Sequence, residues 1–230
     1  EKQKPQGFYE RKTMIKLSPR LEAALGYLSG FSVLIDIGTD HAKLPIVAVS
    51  RGYVERAVAV DNKTAPLRNA QKNIDACGLG EKIKTILAEG FPLGEYFDVA
   101  TILGLGGLTI KTILEKADLS LTKRLVLAPH SDAYSVRSWL MANRYRIVDE
   151  TFLIDRRKSY QIIVAESGEM ELDELELEFG PVITKKKEPA FKHHLEKLIL
   201  IYDKAKNEAT DPMKREALEK RVAVLKGMII

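Results

Sequence analysis

The sequence predicts an α/β protein: a mainly parallel sheet covered by helices on both faces, closed by an antiparallel hairpin and followed by two long helices. Three observations carry this expectation. Short apolar runs at Val33–Ile35, Ala57–Val60, Ile83–Leu87, Val99–Leu103 and Leu125–Leu127 alternate with helix-patterned segments, as parallel strands joined by crossover helices do. Tyr145–Ile154 and Tyr160–Ala165 are separated only by Asp155–Ser159, a gap too short for a crossover helix, so they pair antiparallel. From Glu188 onward, Phe191, Leu195, Leu198, Tyr202 and Ala205 recur at steps of three and four, and Leu218, Val222, Leu225 and Ile229 do the same after Asp211-Pro212. These are heptad-like seams on two helices that fold back on each other.

In chain order, residues 1–17 form a polar, basic tail. Ser18-Pro19 starts a helix as cap and first-turn proline, with Leu21, Ala24, Leu25 and Leu28 on one face and Gly30 as its stop. After the first strand, Ile46, Val47 and Val49 mark a second helix. Thr64 as cap and Pro66 as first-turn proline open a third, which carries Leu67, Ala70, Ile74 and Cys77 and stops at Gly78. Helices through Ile110, Ile113 and Leu114 and through Val136, Trp139 and Leu140 separate the later strands. Residues 166–183, acidic with interleaved Leu172, Leu175, Leu177 and Phe179, read as a connecting segment. The expected division is a tail over 1–17, a catalytic domain over 18–183 and a helical hairpin over 184–230.

At 230 residues, 45% hydrophobic and 30% charged, the composition is that of an ordinary globular protein. No apolar run approaches the roughly 20 residues of a membrane span, and the start lacks the apolar region of a secretory signal. Cytoplasmic location and no membrane partner are therefore expected. A single cysteine, Cys77, excludes an internal disulfide and a multi-cysteine metal site, and His193-His194 point apart on a helix; no metal is expected. The net charge of +4 permits a polyanionic partner.

The strand ends carry the chemistry. Asp36-Ile37-Gly38-Thr39-Asp40-His41 turns from the first strand into a helix, a geometry that sets backbone N–H groups and a positive helix end around an anionic group. Asp61 ends the second strand, with Asn62 behind it, and offers two acceptors to a ribose diol. Glu89-Gly90 follows the third strand, where Glu89 would accept from an adenine amino group. Acids at three consecutive strand tips beside a glycine turn indicate a nucleoside cofactor. The turn lacks the Gly-x-Gly-x-x-Gly spacing that a dinucleotide pyrophosphate requires. The closing hairpin marks a Rossmann-like, class I S-adenosylmethionine-dependent methyltransferase sheet rather than a nicotinamide dehydrogenase. Cofactor residues are then Asp36, Gly38, Thr39, His41, Asp61, Asn62, Glu89, Gly90 and Gly104, with the carboxylate of the amino-acid end on the N–H groups around Gly38-Thr39. The loop Gly104-Leu105-Gly106-Gly107 would admit the methyl acceptor. His41 and His130 border the same pocket.

Asp36-Ile37-Gly38-Thr39-Asp40-His41-Ala42-Lys43-Leu44-Pro45 resembles the Asp-Ile-Gly-Ser-Asp-His-Ala-x-Leu-Pro signature of the bacterial TrmK family, and Gly104-Leu105-Gly106-Gly107 is similar to its Gly-Met-Gly-Gly. The resemblance spans nearly the whole chain. Thr39 stands for Ser, Glu89 for Asp, and Ala128-Pro129-His130 for Gln-Pro-Asn. It implies methylation of adenine N1 at tRNA position 22. N1 carries a lone pair, so the attack needs no strong base. The product ring is cationic, and a carboxylate beside it would stabilise that charge or take the N6 proton; Asp40 is placed in this role. The adenine must leave its stack, and phosphate contacts are expected from Arg11, Lys12, Lys16 and Arg20 and from a second set, Arg144, Arg146, Arg156, Arg157 and Lys158 together with Lys185–Lys187. A small-molecule or protein methyltransferase and a non-catalytic RNA-binding adaptor remain as alternatives.

Overall fold

The computed structural model describes residues 15–229. In chain order it places α1 (Pro19–Gly26), β1 (Val33–Ile37), α2 (Lys43–Ser50), β2 (Arg56–Asp61), α3 (Thr64–Ala76) and β3 (Ile83–Leu87). There follow β4 (Val99–Leu103), α4 (Gly107–Glu115), β5 (Arg124–Ala128), α5 (Ala133–Ala142), β6 (Tyr145–Asp155) and β7 (Lys158–Ser167). The chain continues through α6 (Glu174–Phe179), α7 (Pro181–Lys186), α8 (Pro189–Glu208) and α9 (Pro212–Ile229). The sheet runs β3-β2-β1-β4-β5-β7-β6, parallel except where β7 pairs antiparallel with both neighbours. This is the Rossmann-like α/β architecture that the alternation of runs predicts.

Strand side chains alternate between faces, and the two faces of the sheet have separate partners. Leu34, Ala57, Ala59, Val99, Val126, Ile162 and Val164 pack with α1–α3, through Leu25, Leu28, Ile46 and Ile74. Ile35, Val58, Val60, Ile102, Leu127 and Ile163 pack with α4 and α5, through Ile110, Val136, Trp139 and Leu140. By the same alternation Asp36, Asp61, Thr101 and Tyr160 belong to the α1–α3 face. Burial on both sides explains why the central strands read as unbroken apolar runs.

Several expectations are corrected. The first helix ends at Gly26, a turn before Gly30. Tyr27 N–H closes a tight turn onto Ala24 and Leu25 carbonyls, and its phenol bonds Thr151 Oγ1 on β6 at 2.7 Å. Thr64 is the first helical residue of α3 rather than its cap. The cap is Lys63, whose N–H donates to the Asp61 carboxylate at 3.0 Å. The strands of the hairpin run further than expected, leaving only Arg156 and Arg157, both at positive φ, as a two-residue turn. Residues 166–183 are not merely a connection. Asp173 and Glu176 form a capping box that starts α6, and α7 follows directly after Gly180. The expected boundary between residues 183 and 184 falls inside α7.

One buried ion pair caps both of these short helices. Arg137 of α5 and Glu150 of β6 are wholly buried and meet at 2.9 Å. Arg137 also donates to the carbonyls of Leu177 and Glu178 at the end of α6, and Glu150 accepts from the N–H groups of Val182 and Ile183 at the start of α7. Cation on carbonyls and anion on amides match the dipole of each helix. Burial pulls Arg137 below and Glu150 above their ordinary pKa, each opposed by the partner's charge. Beyond α7, α8 and α9 run antiparallel, and their seam (Phe191, Leu195, Ile199, Val222, Leu225) continues into Phe179, Ile183 and Phe152 of β6.

Candidate active site

At the carboxyl edge of the sheet, on the α1–α3 face, a cavity of about 410 Å³ opens between the start of α1, the loop after β1 and the loop after β4. Ser18 caps α1 and Arg20 and Leu21 belong to it; Asp36 is near the end of β1, Gly38, Thr39, Asp40 and His41 follow in the loop, and Lys43 and Leu44 open α2; Leu103 to Leu105 come from β4 and its loop. Open parallel sheets bind ligands at this edge, where adjacent connections diverge.

Asp36 forms the floor. Its two oxygens accept from Thr39 Oγ1 at 2.7 Å and from Thr101 Oγ1 at 2.6 Å, and Thr101 is its direct partner across the β1–β4 ladder. A carboxylate offers about four acceptor positions, and the two hydroxyls occupy half of them. Burial lifts its pKa from 3.8 to about 6, against the two hydroxyl donors and the charge of Arg20. The guanidinium of Arg20 lies over the Tyr160 ring at 5.4 Å and against Gly104, where φ is +85° and a β-carbon would collide with it. Arg20 forms no salt bridge among the described residues. Opposite charges thus face one cavity without neutralising each other.

The turn after β1 is held before any ligand arrives. The N–H groups of Gly38 and Thr39 both donate to the Val60 carbonyl at 2.9 Å. These are the donors expected to take a cofactor carboxylate; the sheet already uses them. Asp40 sits at φ 53°, fixed by its N–H donating to the Asp61 carboxylate at 3.2 Å. Its side chain is exposed at the cavity mouth, 3.5 Å from His41 Nε2. Asp61 is buried, and each of its oxygens takes one backbone N–H, from Asp40 and Lys63, leaving one acceptor position on each.

Asp36, Gly38, Thr39, Asp40, His41, Gly104, Leu105 and Arg20 share the cavity wall. Asp61, Asn62, Glu89 and Gly90 do not line it; they continue from it along the sheet edge. Asp36 is level with Ala59, and Asp61 with Leu87, so each acid stands two residues beyond the previous one on the neighbouring strand. At ~3.3 Å per residue and ~4.8 Å between strands, the three acids mark a diagonal roughly 16 Å long. Gly106 and Gly107 lie outside the cavity. Gly107 is buried where a β-carbon would collide with the Asp132 backbone, so its missing side chain serves packing rather than a ligand. His130 does not line the cavity either. Its Nδ1 is 3.1 Å from the Gly104 carbonyl.

The basic residues divide. Arg11 and Lys12 lie outside the described residues; Lys16 is exposed. Arg156, Arg157 and Lys158 are exposed at the tip of the β6–β7 ribbon. The β5–β7 ladder stops at Leu127–Ile163, whereas β6–β7 continues to Asp155–Lys158, so the ribbon projects about 16 Å past β5 on the cavity side. Arg144 and Arg146 are at the other end of the same strand, by Glu169 (3.7 Å) and Glu166 (3.9 Å), and do not join the ribbon set. Lys185 and Lys186 are paired with Glu176 and Asp149.

Sequence reasoning missed Ser18, Leu21, Lys43, Leu44 and Leu103 in the cavity wall, and the supporting roles of Thr101 and Tyr160. Thr101 did leave a signal, a lone hydroxyl in the buried run Val99–Leu103. Among the described residues no helix is long and apolar enough to cross a membrane.

The family model described as TrmK, tRNA (adenine(22)-N(1))-methyltransferase, matches residues 34–227. The tRNA (adenine(22)-N(1))-methyltransferase of Bacillus subtilis is 32% identical, over 94% of this chain and 98% of its own. A Streptococcus pneumoniae protein solved with S-adenosyl-L-methionine is 34% identical at a TM-score of 0.85, covering 94% of this chain and all of its own. Mycoplasma capricolum TrmK, solved with S-adenosylhomocysteine, is 29% identical at a TM-score of 0.82, covering 93% and 97%.

Proposed function

The chain belongs to the TrmK family of tRNA (adenine(22)-N(1))-methyltransferases, and from that premise we propose how its residues serve the reaction. It is an S-adenosylmethionine-dependent enzyme that converts an adenine of tRNA, at position 22, to 1-methyladenosine. The observation that carries the assignment of residues is the diagonal of Asp36, Asp61 and Glu89 rising from the cavity along adjacent strand tips.

S-adenosylmethionine, when bound, would supply an electrophilic methyl carbon: the lone pair of adenine N1 would form the new C–N bond as the C–S bond breaks, its electron pair leaving on the neutral sulfur of S-adenosylhomocysteine. Asp36 holds the ammonium of the amino-acid end with its open acceptor positions. Asp61 takes the ribose hydroxyls, and Asn62, Glu89 and Gly90 border the adenine. Gly104 and Leu105 form the wall against which the target base lies. Asp40, exposed at the mouth and fixed by its N–H on Asp61, faces the charge that develops on the methylated ring and accepts the N6 proton. His41, 3.5 Å away, holds that carboxylate in place. Outside the cavity, Arg156, Arg157 and Lys158 contact tRNA phosphates from the overhanging ribbon. The enzyme works in the cytoplasm, without a metal ion and without a membrane.

The test is Asp40→Asn. Calorimetric affinity for S-adenosylhomocysteine is expected to stay within about twofold, while methyl transfer to tRNA, mapped by primer-extension stops, falls by about 10²–10⁴-fold. A variant with a normal rate removes Asp40 from the mechanism.

A further inference from the structure

The loops that follow β4 and β5 are laced together beyond the ends of their strands. Gly104 N–H donates to the Ala128 carbonyl at 2.8 Å, His130 N–H to the Leu105 carbonyl at 3.0 Å, and Gly107 N–H to the Ser131 carbonyl at 2.9 Å. A side chain joins this lacing: His130 Nδ1 lies 3.1 Å from the Gly104 carbonyl oxygen. A carbonyl oxygen only accepts, so Nδ1 carries the proton. In the neutral ring that leaves Nε2 as a lone-pair acceptor. The backbone of the substrate wall thus sets both the tautomer and the direction of the ring.

His130 is exposed, and among the described residues nothing bonds its Nε2. Gly106 stands beside the ring. A β-carbon there would lie 3.9 Å from Cε1, so the loop sends no side chain across it. The imidazole is braced through one nitrogen and keeps the other for a partner outside the protein.

β4 lies between β1 and β5 in the sheet. Asp40 follows β1 and His130 follows β5, so they flank the β4 tip on opposite sides, two strand spacings or about 10 Å apart at the backbone. Adenine carries at position 6 an amino group whose two hydrogens diverge in the plane of the ring. One acceptor on either side of the β4 tip matches that pair of donors.

The geometry points to His130 as the residue that identifies the target base: Nε2 accepts one hydrogen of the adenine N6 amino group, while the other faces the Asp40 carboxylate. A base with a carbonyl at position 6 sets oxygen against the Nε2 lone pair, so the same contact disfavours guanine. This deepens, and rests on, the reading of Gly104 and Leu105 as the wall for the target base. His130 serves recognition and takes no proton.

The experiment is a substrate-by-mutant cycle on the full chain saturated with S-adenosylhomocysteine, so that no turnover is needed. Equilibrium binding compares a tRNA bearing adenine at position 22 with one bearing unsubstituted purine, which lacks only the amino group, in wild type, His130→Ala and His130→Gln. The cost of unstacking each base is the same for every protein and cancels in the cycle. Loss of one hydrogen bond predicts that His130→Ala lowers the preference for adenine over purine by about 3- to 10-fold, while purine tRNA binds within about twofold of wild type. His130→Gln, whose side-chain oxygen extends as far as Nε2, keeps part of the preference. Affinity for S-adenosylhomocysteine stays within about twofold in both variants.

Three results overturn the proposal: a preference unchanged in His130→Ala, equal weakening of both tRNAs, which is the mark of a residue that only braces the loop, or a loss in His130→Gln as large as in His130→Ala. Asp40→Asn with a normal rate would remove Asp40 from the second hydrogen and leave the His130 cycle untouched. Wild type that neither binds tRNA nor methylates it would overturn the functional reading itself, and this proposal with it.

Discussion

Replacing Asp36 by Asn should make the cofactor-free protein more stable and the enzyme inactive. Asp36 is 5% exposed, and burial raises its pKa from 3.8 to about 6. An acid whose folded-state pKa lies above its unfolded value holds an extra proton in the native state between about pH 4 and 6. Its ionisation costs nothing below that window, and stability falls as pH rises through it. The difference corresponds to about 3 kcal/mol at neutral pH. Asn removes the charge but brings a single acceptor oxygen, so either Thr39 or Thr101 must turn from donor to acceptor, at about 1 kcal/mol. The net expectation is a gain of about 2 kcal/mol, or roughly 4–8 °C in Tm for a chain of this size.

The assay is thermal unfolding of cofactor-free wild type and Asp36→Asn at pH 7.5 and pH 5. The gap should be full at pH 7.5 and fall to well under half at pH 5, where the native carboxyl is mostly protonated but the unfolded one is still ionised. Affinity for S-adenosylhomocysteine should drop more than tenfold in the variant. A variant less stable than wild type at pH 7.5, or a gain of equal size at both pH values, would refute the reasoning. The buried charge is then a cost of the site that the ligand's ammonium offsets.

Two further outcomes are expected. Neutralising Arg156, Arg157 and Lys158 together should lower the slope of log K for tRNA against log salt by up to about 2–3, whereas Arg144→Gln with Arg146→Gln should leave it unchanged; equal effects from both ends of β6 would reject the ribbon as the contact. Glu150→Gln strands the Arg137 guanidinium in the interior and should destabilise by about 3–5 kcal/mol, roughly 6–20 °C in Tm. A loss below about 1 kcal/mol in denaturant titration would mean that the pair is unimportant.

The strands and the row of acids could be read directly, because a strand buried on both faces leaves a continuous apolar run and any acid at its tip stands out. Helix-packed detail could not. Periodicity gives the phase of α1 but not which strand its first turn meets, so sequence proximity groups Arg20 with the basic tail rather than with Asp36. The loop Gly104–Gly107 looks uniform in sequence, yet Gly104 makes room for Arg20 while Gly107 yields to the Asp132 backbone. That requirement arises from a residue 25 positions away. The demand of the Val60 carbonyl on the Gly38 and Thr39 amides is likewise invisible without the fold. Separation of Arg144 and Arg146 from Arg156 and Arg157 was within reach: a long strand necessarily has its two ends on opposite edges of the sheet.

The Arg137–Glu150 pair has a consequence for anyone dissecting the molecule. Two helices outside the sheet have their ends satisfied by buried side chains of α5 and β6, so the appendage is riveted on from within rather than leaning on the surface. Cutting the chain at Gly180 would remove the two amides from which Glu150 accepts and uncover a charge the fold keeps buried. The sheet and the helical arm should therefore melt as one body, and a shortened protein that fails to fold would report on the missing rivet, not on what the arm does for RNA.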